Sequence, residues 1–346
     1  MFALALLAAG YYGYWRIMAG QLDDGLTNWV AERRAEGVDI SFRERVLDGF
    51  PLRLRLKLEG IDIAASGDKP WRWKIPAAEA WAAPWRLHRV RFRTTGAHDV
   101  MPGTTDPAAA LTLAAKTFEG DLRLARGGGA DLNIVAEAFV ADRKTGRLAA
   151  MKRLDLDLGW RPLAGAAGVS EAVSPLRLDL GLDGARLPPQ WTTPLGRDVE
   201  TLRLRAHITG PLAGGPLPAA LARWRDAGGT LEFEKVALFH GPLRLEAEGT
   251  AALDQEMRFE AAFSARAEGF LETIDSLAAA RMLKPGEATA AKLVLTVIAK
   301  RPAGQRPYVE APLTLQNGRL SAGAVSLGRL RRIDWSRFEN LRLPGG

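Results

Sequence analysis

The chain has 346 residues, more than the ~100–200 of a typical single core, so it holds one large elongated domain or two smaller ones. Hydrophobic residues at 47% beside 25% charged residues exclude a wholly disordered chain and a polytopic membrane protein. The absence of cysteine excludes disulfide frameworks, thiolate metal sites, thiol nucleophiles and a Cys-linked lipid, while a net charge of +7 suits either a basic solvated surface or an anionic partner.

Met1 to Trp15 carries no charge, and after Arg16 the apolar character continues through Ile17, Met18 and Ala19. As a helix this stretch spans roughly 28 Å against a hydrocarbon core of ~30 Å, with Tyr11, Tyr12, Tyr14 and Trp15 as an aromatic belt at one interface. It lacks the basic start and small-residue cleavage site of a signal peptide, so residues 1–20 are expected to form an uncleaved transmembrane anchor. Leu22, Leu26, Trp29 and Val30 then share one helical face, and residues 21–37 are expected to form an amphipathic linker helix ended by Gly37.

From Val38 the period switches to two. Leu52, Leu54, Leu56 and Leu58 oppose Arg53, Arg55, Lys57 and Glu59, and the same division recurs around Leu154–Trp160, Leu176–Leu182 and Leu202–Ile208. The longest run places Leu243, Leu245, Ala247, Gly249, Ala251 and Leu253 on one face. A turn at Asp254-Gln255-Glu256 leads into Met257, Phe259, Ala261, Phe263, Ala265 and Ala267, which predicts one long hairpin. Alternation of this kind indicates antiparallel strands with one dry and one wet face. Helical spacing interrupts it at Pro218–Ala227 and Phe270–Leu283, and Gly/Pro-rich joints fall at Gly127–Gly129, Leu163–Gly168, Leu187–Pro189 and Gly210–Pro218. The expected architecture is mainly β: long antiparallel amphipathic strands forming a curved open groove or a sandwich, two short helices and the N-terminal transmembrane helix. The β body divides into an N-terminal region, 38–212, and a C-terminal region, 213–346, that carries both short helices.

About a dozen strands ~4.8 Å apart and roughly 30 Å long present ~1,700 Å² of apolar face, whereas two short helices mask only about 400 Å². Either the sheet closes on itself as a sealed core, or it curls into a trough that holds a long apolar ligand. In the trough, Leu56, Leu204, Leu245, Phe259 and Phe263 are the candidate groove residues.

The chain contains no Gly-x-Ser-x-Gly elbow, Walker loop, His-Glu-x-x-His or dinucleotide fingerprint. His88, His98, His207 and His240 are scattered, and Asp155 and Asp157 read as solvated charges on one strand. Arg86, Arg89, Arg91 and Arg93, and later Arg329, Arg331, Arg332 and Arg337, form basic stretches outside any nucleic-acid module, so anionic head groups are the better match and nucleic acid is not expected. No catalytic residue, cofactor or metal is assigned.

Gly49-Phe50-Pro51-Leu52, Gly241-Pro242-Leu243 with Gly249-Thr250, the stretch from Pro312 to Leu320 and the Leu327-Gly328 pair, together with the aromatic-ended anchor and Trp29, resemble the bacterial family catalogued as domain of unknown function 2125. The resemblance runs over nearly the whole chain and rests on turn and strand residues. Two prolines usual in that family's closing pairs are absent, since Ala324 follows Gly323 and Arg331 follows Leu330. That family is similar in outline to AsmA-like envelope proteins, which implies an inner-membrane anchor, a periplasmic β-rich body and a link to lipid transport or envelope homeostasis. It also implies membrane lipid, and other envelope proteins, as partners. Two readings remain open: a non-enzymatic lipid-binding groove, and an anchored scaffold with a sealed core and no ligand.

Overall fold

A computed structural model describes residues 2–67, 70–104, 106–125, 127–161, 175–323, 325–338 and 341–343 of the chain. The joint read over Leu163–Gly168 and the position of Ala324 lie outside the described residues, as does Met1. The chain forms two compact units, one of residues 1–124 with 132–154 and one of residues 125–131 with 155–346. The Gly210–Pro218 joint, read as a boundary, lies inside the second unit.

The first unit begins with α1 (Phe2–Ala35). The two segments expected as anchor and linker are one continuous rod, about 51 Å long at 1.5 Å per residue. Gly20, at the junction of the two segments, costs only about 1 kcal/mol in a helix and does not break it; the left-handed Gly37 ends it, with φ 84°. No helix among the described residues is long and apolar enough to cross a membrane. In α1, Gly10, Gly13, the tyrosines and Arg16 dilute the apolar run. The strands that follow are β1 (Val38–Ser41), β2 (Glu44–Asp48), β3 (Leu54–Ala65), β4 (Trp71–Ala83), β5 (Arg86–Thr95), β6 (His98–Met101), β7 (Leu111–Ala114) and β8 (Thr117–Leu124). Most of β9 (Ala130–Arg143) and the first part of β10 (Gly146–Trp160) complete the unit.

In this unit β3 pairs antiparallel with β1, β2 and β4, β4 with β5 and β6, and β5 with β8. Leu47, Leu56, Ala80, Phe92 and Gly120 stand opposite one another in successive strands, an apolar row produced by the period of two. Arg89, Arg91 and Arg93 of the basic stretch in β5 form an ion-pair ladder on the wet side. Arg89 and Arg91 share Asp121 of β8 with Arg123, and Arg93 pairs with Glu79 of β4. Burial raises the Asp121 carboxyl, and the hydrogen bonds from Arg89 and Arg123 outweigh it, leaving the group below its ordinary value.

Trp15 of α1 docks the helix on this sheet. It is 5% exposed, packs with Ala19 and Leu54, and donates its indole N–H to the Arg53 carbonyl at 2.9 Å. Tyr11 and Tyr14 donate their hydroxyls to the carbonyls of Pro51 and Pro84, and Phe50 stacks among Tyr11, Tyr12 and Trp15. Three of the residues read as an interfacial belt, Tyr11, Tyr14 and Trp15, therefore make specific hydrogen bonds to the rest of the first unit, and Tyr12 meets it through the Phe50 ring.

The second unit carries β11 (Leu176–Arg186), β12 (Asp198–Ile208), β13 (Gly215–Pro216), α2 (Leu217–Asp226), β14 (Leu231–His240), β15 (Leu243–Leu253) and β16 (Phe259–Glu268). It continues with α3 (Phe270–Ala279), α4 (Pro285–Ile298), β17 (Tyr308–Gln316), β18 (Arg319–Ala322), β19 (Val325–Arg329) and β20 (Arg342–Leu343). From β11 to β19 the long strands pair antiparallel in chain order, apart from the short β13 and β20, which pair with each other. The predicted hairpin is present with Leu253 opposite Phe259, and the Asp254 carboxylate closes its turn by accepting the N–H groups of Glu256 and Arg258.

The four α-helices among the described residues correct the expectation of two short helices beside an anchor. No element was expected over Pro285–Ile298, whose Leu-Val-Leu-Thr-Val-Ile run is β-branched and shows neither clean period. It folds as α4 because Pro285 opens it, the Glu287 carboxylate accepts the Lys284 backbone N–H at 2.9 Å, and Ala288, Ala291 and Leu295 form a buried face. That face packs with Phe270 and Ile274 of α3 and with Leu283 and Val309. Gly269 at φ 68° allows the chain to turn from β16 into α3, where a Cβ would collide with the Pro242 carbonyl.

Candidate functional site

Register aligns the apolar face of the second unit. Leu180, Leu204, Val236, Ala247, Ala265 and Ala311 form one row across six strands, and Phe233, Gly249, Phe263 and Leu313 form the next. The wet face of the same strands is laced with cross-strand pairs, among them Arg203 with Asp183 at 2.7 Å, Arg205 with Asp179 at 2.7 Å and Arg244 with Glu200 at 3.0 Å.

Separate structures cover parts of the dry face. The α3–α4 pair buries a cluster with Val309 and Ala267. A second cluster gathers Ile208, Trp224 of α2 and Leu253, with Leu231, Met257, Phe259 and Trp335 against it. Two indole bonds fix this second cover: Trp224 donates to the Thr209 carbonyl at 2.7 Å and Trp335 to the Met257 carbonyl at 2.8 Å. Trp335 also meets Phe259 at 6.3 Å between ring centres, so the C-terminal segment lies against the sheet there.

Beside these covers is a pocket of about 510 Å³. Leu231, Phe233, Ala251, Phe259, Ala261, Phe263 and Leu315 form its sheet wall, and Met257, Leu330 and Ile333 complete its apolar lining. Among the described residues, every charged residue in that lining is an arginine: Arg258, Arg331 and Arg332. Arg258 is committed to Asp254, Glu256 and Asn317, whereas Arg331 and Arg332 are exposed. The space is within the ~300–1,000 Å³ range of small-molecule sites, and its chemistry fits an apolar chain that ends in a negative group.

Of the five candidate groove residues, Phe259 and Phe263 line the pocket. Leu204 and Leu245 share the face with them but lie outside the pocket, and Leu56 is on the apolar row of the first unit. All five are half-buried. Sequence reasoning does not find Leu330 and Ile333; their apolar character on either side of Arg331 and Arg332 is the available signal. It also missed Leu231 and Phe233, whose alternation in Leu-Glu-Phe-Glu matches the strands that were read. Among the described residues no group of three or more His, Cys, Asp or Glu side chains is placed to hold a metal ion.

No curated protein and no solved structure matches the chain. The profile of one family, described as an uncharacterized protein conserved in bacteria (DUF2125), matches residues 15–331, both units included. The chain belongs to this family.

Proposed function

We propose that the chain is a non-enzymatic envelope protein that holds an amphiphilic lipid, with the acyl part in the pocket of the second unit and an anionic head near Arg331 and Arg332. The observation that carries this reading is a roomy apolar pocket on a sheet face, whose charged lining residues, among the described residues, are all basic. Half-burial of the pocket residues Phe259 and Phe263 supports an accessible wall over a closed core. Exposed Leu6, Leu7 and Ile17 of α1 support attachment at a membrane surface; the inner membrane as its site, the body in the periplasm and a role in lipid transport or homeostasis are part of the proposal. The alternative, an anchored scaffold with a sealed β core that binds other envelope proteins, draws its support from the α3–α4 cover, where Phe270, Ile274, Leu295 and Val309 are closed to solvent.

The test is mass spectrometry of lipid carried through purification of the full chain in mild detergent. Ala261→Trp fills the pocket and is expected to remove the lipid, and Ala262→Trp, on the wet face of the same strand, is expected to retain it. Absence of lipid from the unsubstituted chain, or equal lipid in both variants, supports the scaffold instead.

A further inference from the structure

While one side of α4 is buried, Leu293, Val294, Val297 and Ile298 on the other are 68%, 44%, 77% and 48% exposed. Their spacing of i, i+1, i+4 and i+5 makes one continuous stripe, and Met282, before the helix, is 55% exposed as well. Ala288, Ala291 and Leu295 supply the buried face of the helix, and among the described residues none of the four exposed side chains belongs to that cluster.

The charge around the stripe is as uneven as its hydropathy. Arg281 to Arg306 contains six basic residues, Arg281, Lys284, Lys292, Lys300, Arg301 and Arg306, against one acidic residue, Glu287, so this segment carries a net +5 of the chain's +7. Lys292 pairs with Asp275, and Lys300 pairs with Glu310 at 2.5 Å. Arg281 and Lys284 near one end of the helix, and Arg301 and Arg306 beyond the other, are exposed.

We propose that α4 is an interfacial docking element that sets Leu293, Val294, Val297 and Ile298 into the head-group boundary of an anionic phospholipid bilayer, with the flanking arginines and Lys284 on the lipid phosphates. A helix with an apolar stripe bounded by cations is the arrangement that lies in a membrane surface. A second copy of this chain would bring two strongly positive segments together, and a nucleic acid would leave the apolar stripe in water. The proposal is independent of what the pocket holds.

The chain has no cysteine, so Leu293→Cys, Val297→Cys and, as an exposed control, Gln255→Cys each give one labelling site for an environment-sensitive fluorophore in the full chain. The label reads α4 alone, whatever α1 does. With phosphatidylcholine vesicles containing phosphatidylglycerol, emission at positions 293 and 297 should shift to the blue and be quenched by lipid-borne nitroxide, while position 255 stays in water. The shift should weaken with pure phosphatidylcholine and with added salt. Arg301→Gln and Arg306→Gln, which leave the apolar stripe intact, should each weaken the response about fivefold. Water-like emission at 293 and 297 on the anionic vesicles overturns the proposal. So does a blue shift that arises without vesicles and grows with protein concentration, which would identify a second copy as the partner.

Discussion

The rings of Phe233 and Phe263 lie 5.2 Å apart, centre to centre, on two strands that flank Gly249 of β15. The gap left by the glycine lets them meet: a Cβ there would come within 2.2 Å of the Ala262 carbonyl oxygen, 2.7 Å of the Phe263 Cα and 2.8 Å of the Phe263 ring. Gly249→Ala is therefore expected to destabilise the second unit by about 1–3 kcal/mol through overpacking and to displace a pocket wall. Thr250→Ala, on the exposed side of the same strand, should stay within about 0.5 kcal/mol. Urea denaturation followed by near-ultraviolet dichroism checks both, and equal midpoints would contradict the pairing.

Trp15 joins α1 to the first unit by burial and by one hydrogen bond, and the two contributions separate by substitution. Trp15→Phe retains most of the apolar contact and should cost about 1 kcal/mol for the lost bond to Arg53. Trp15→Ala leaves a cavity beside Leu54 and should cost about 3–5 kcal/mol. Hydrogen exchange of β3 amides around Leu54 reports the difference; unchanged protection in Trp15→Ala would show that α1 contributes nothing to the sheet.

His98 is buried beside Trp73 and Phe118, and this burial pushes its imidazole below the ordinary value of 6.5. The unfolded chain then takes up a proton at higher pH than the folded chain does. Stability of the first unit should fall as pH drops from about 6.5 and level off below the folded value. His98→Phe should flatten this part of the profile, measured as urea midpoints across the acid range. An unchanged slope would assign the dependence to other groups.

The strands were legible because a period of two survives in single residues: Leu245 and Glu246, or Phe263 and Ser264, take opposite faces, and the register from β11 to β17 follows. The hairpin turn was legible for the same reason, with Asp254 supplying the bonds that close it. Helix α4 was hidden because Val294, Val297 and Ile298 favour strands locally, while the contacts that decide the matter, Ala288, Ala291 and Leu295 on Phe270 and Ile274, are tertiary. Periodicity found the apolar face but not its covers. The pocket depends on where Trp335 anchors the C-terminal segment, through a bond to Met257 far away in sequence, and no local pattern encodes that contact. The docking of Trp15 was concealed likewise, since an aromatic after an apolar run has the same appearance at a membrane interface and on a sheet.

The most direct test of a lipid-holding pocket is a pair of photo-crosslinkers at adjacent residues of β16 in cells. At Phe263, in the pocket wall, the account predicts an adduct with lipid, and at Ser264, on the wet face, it predicts none. Self-crosslinks at Phe263 without any lipid adduct would contradict it and leave the sealed scaffold as the better description.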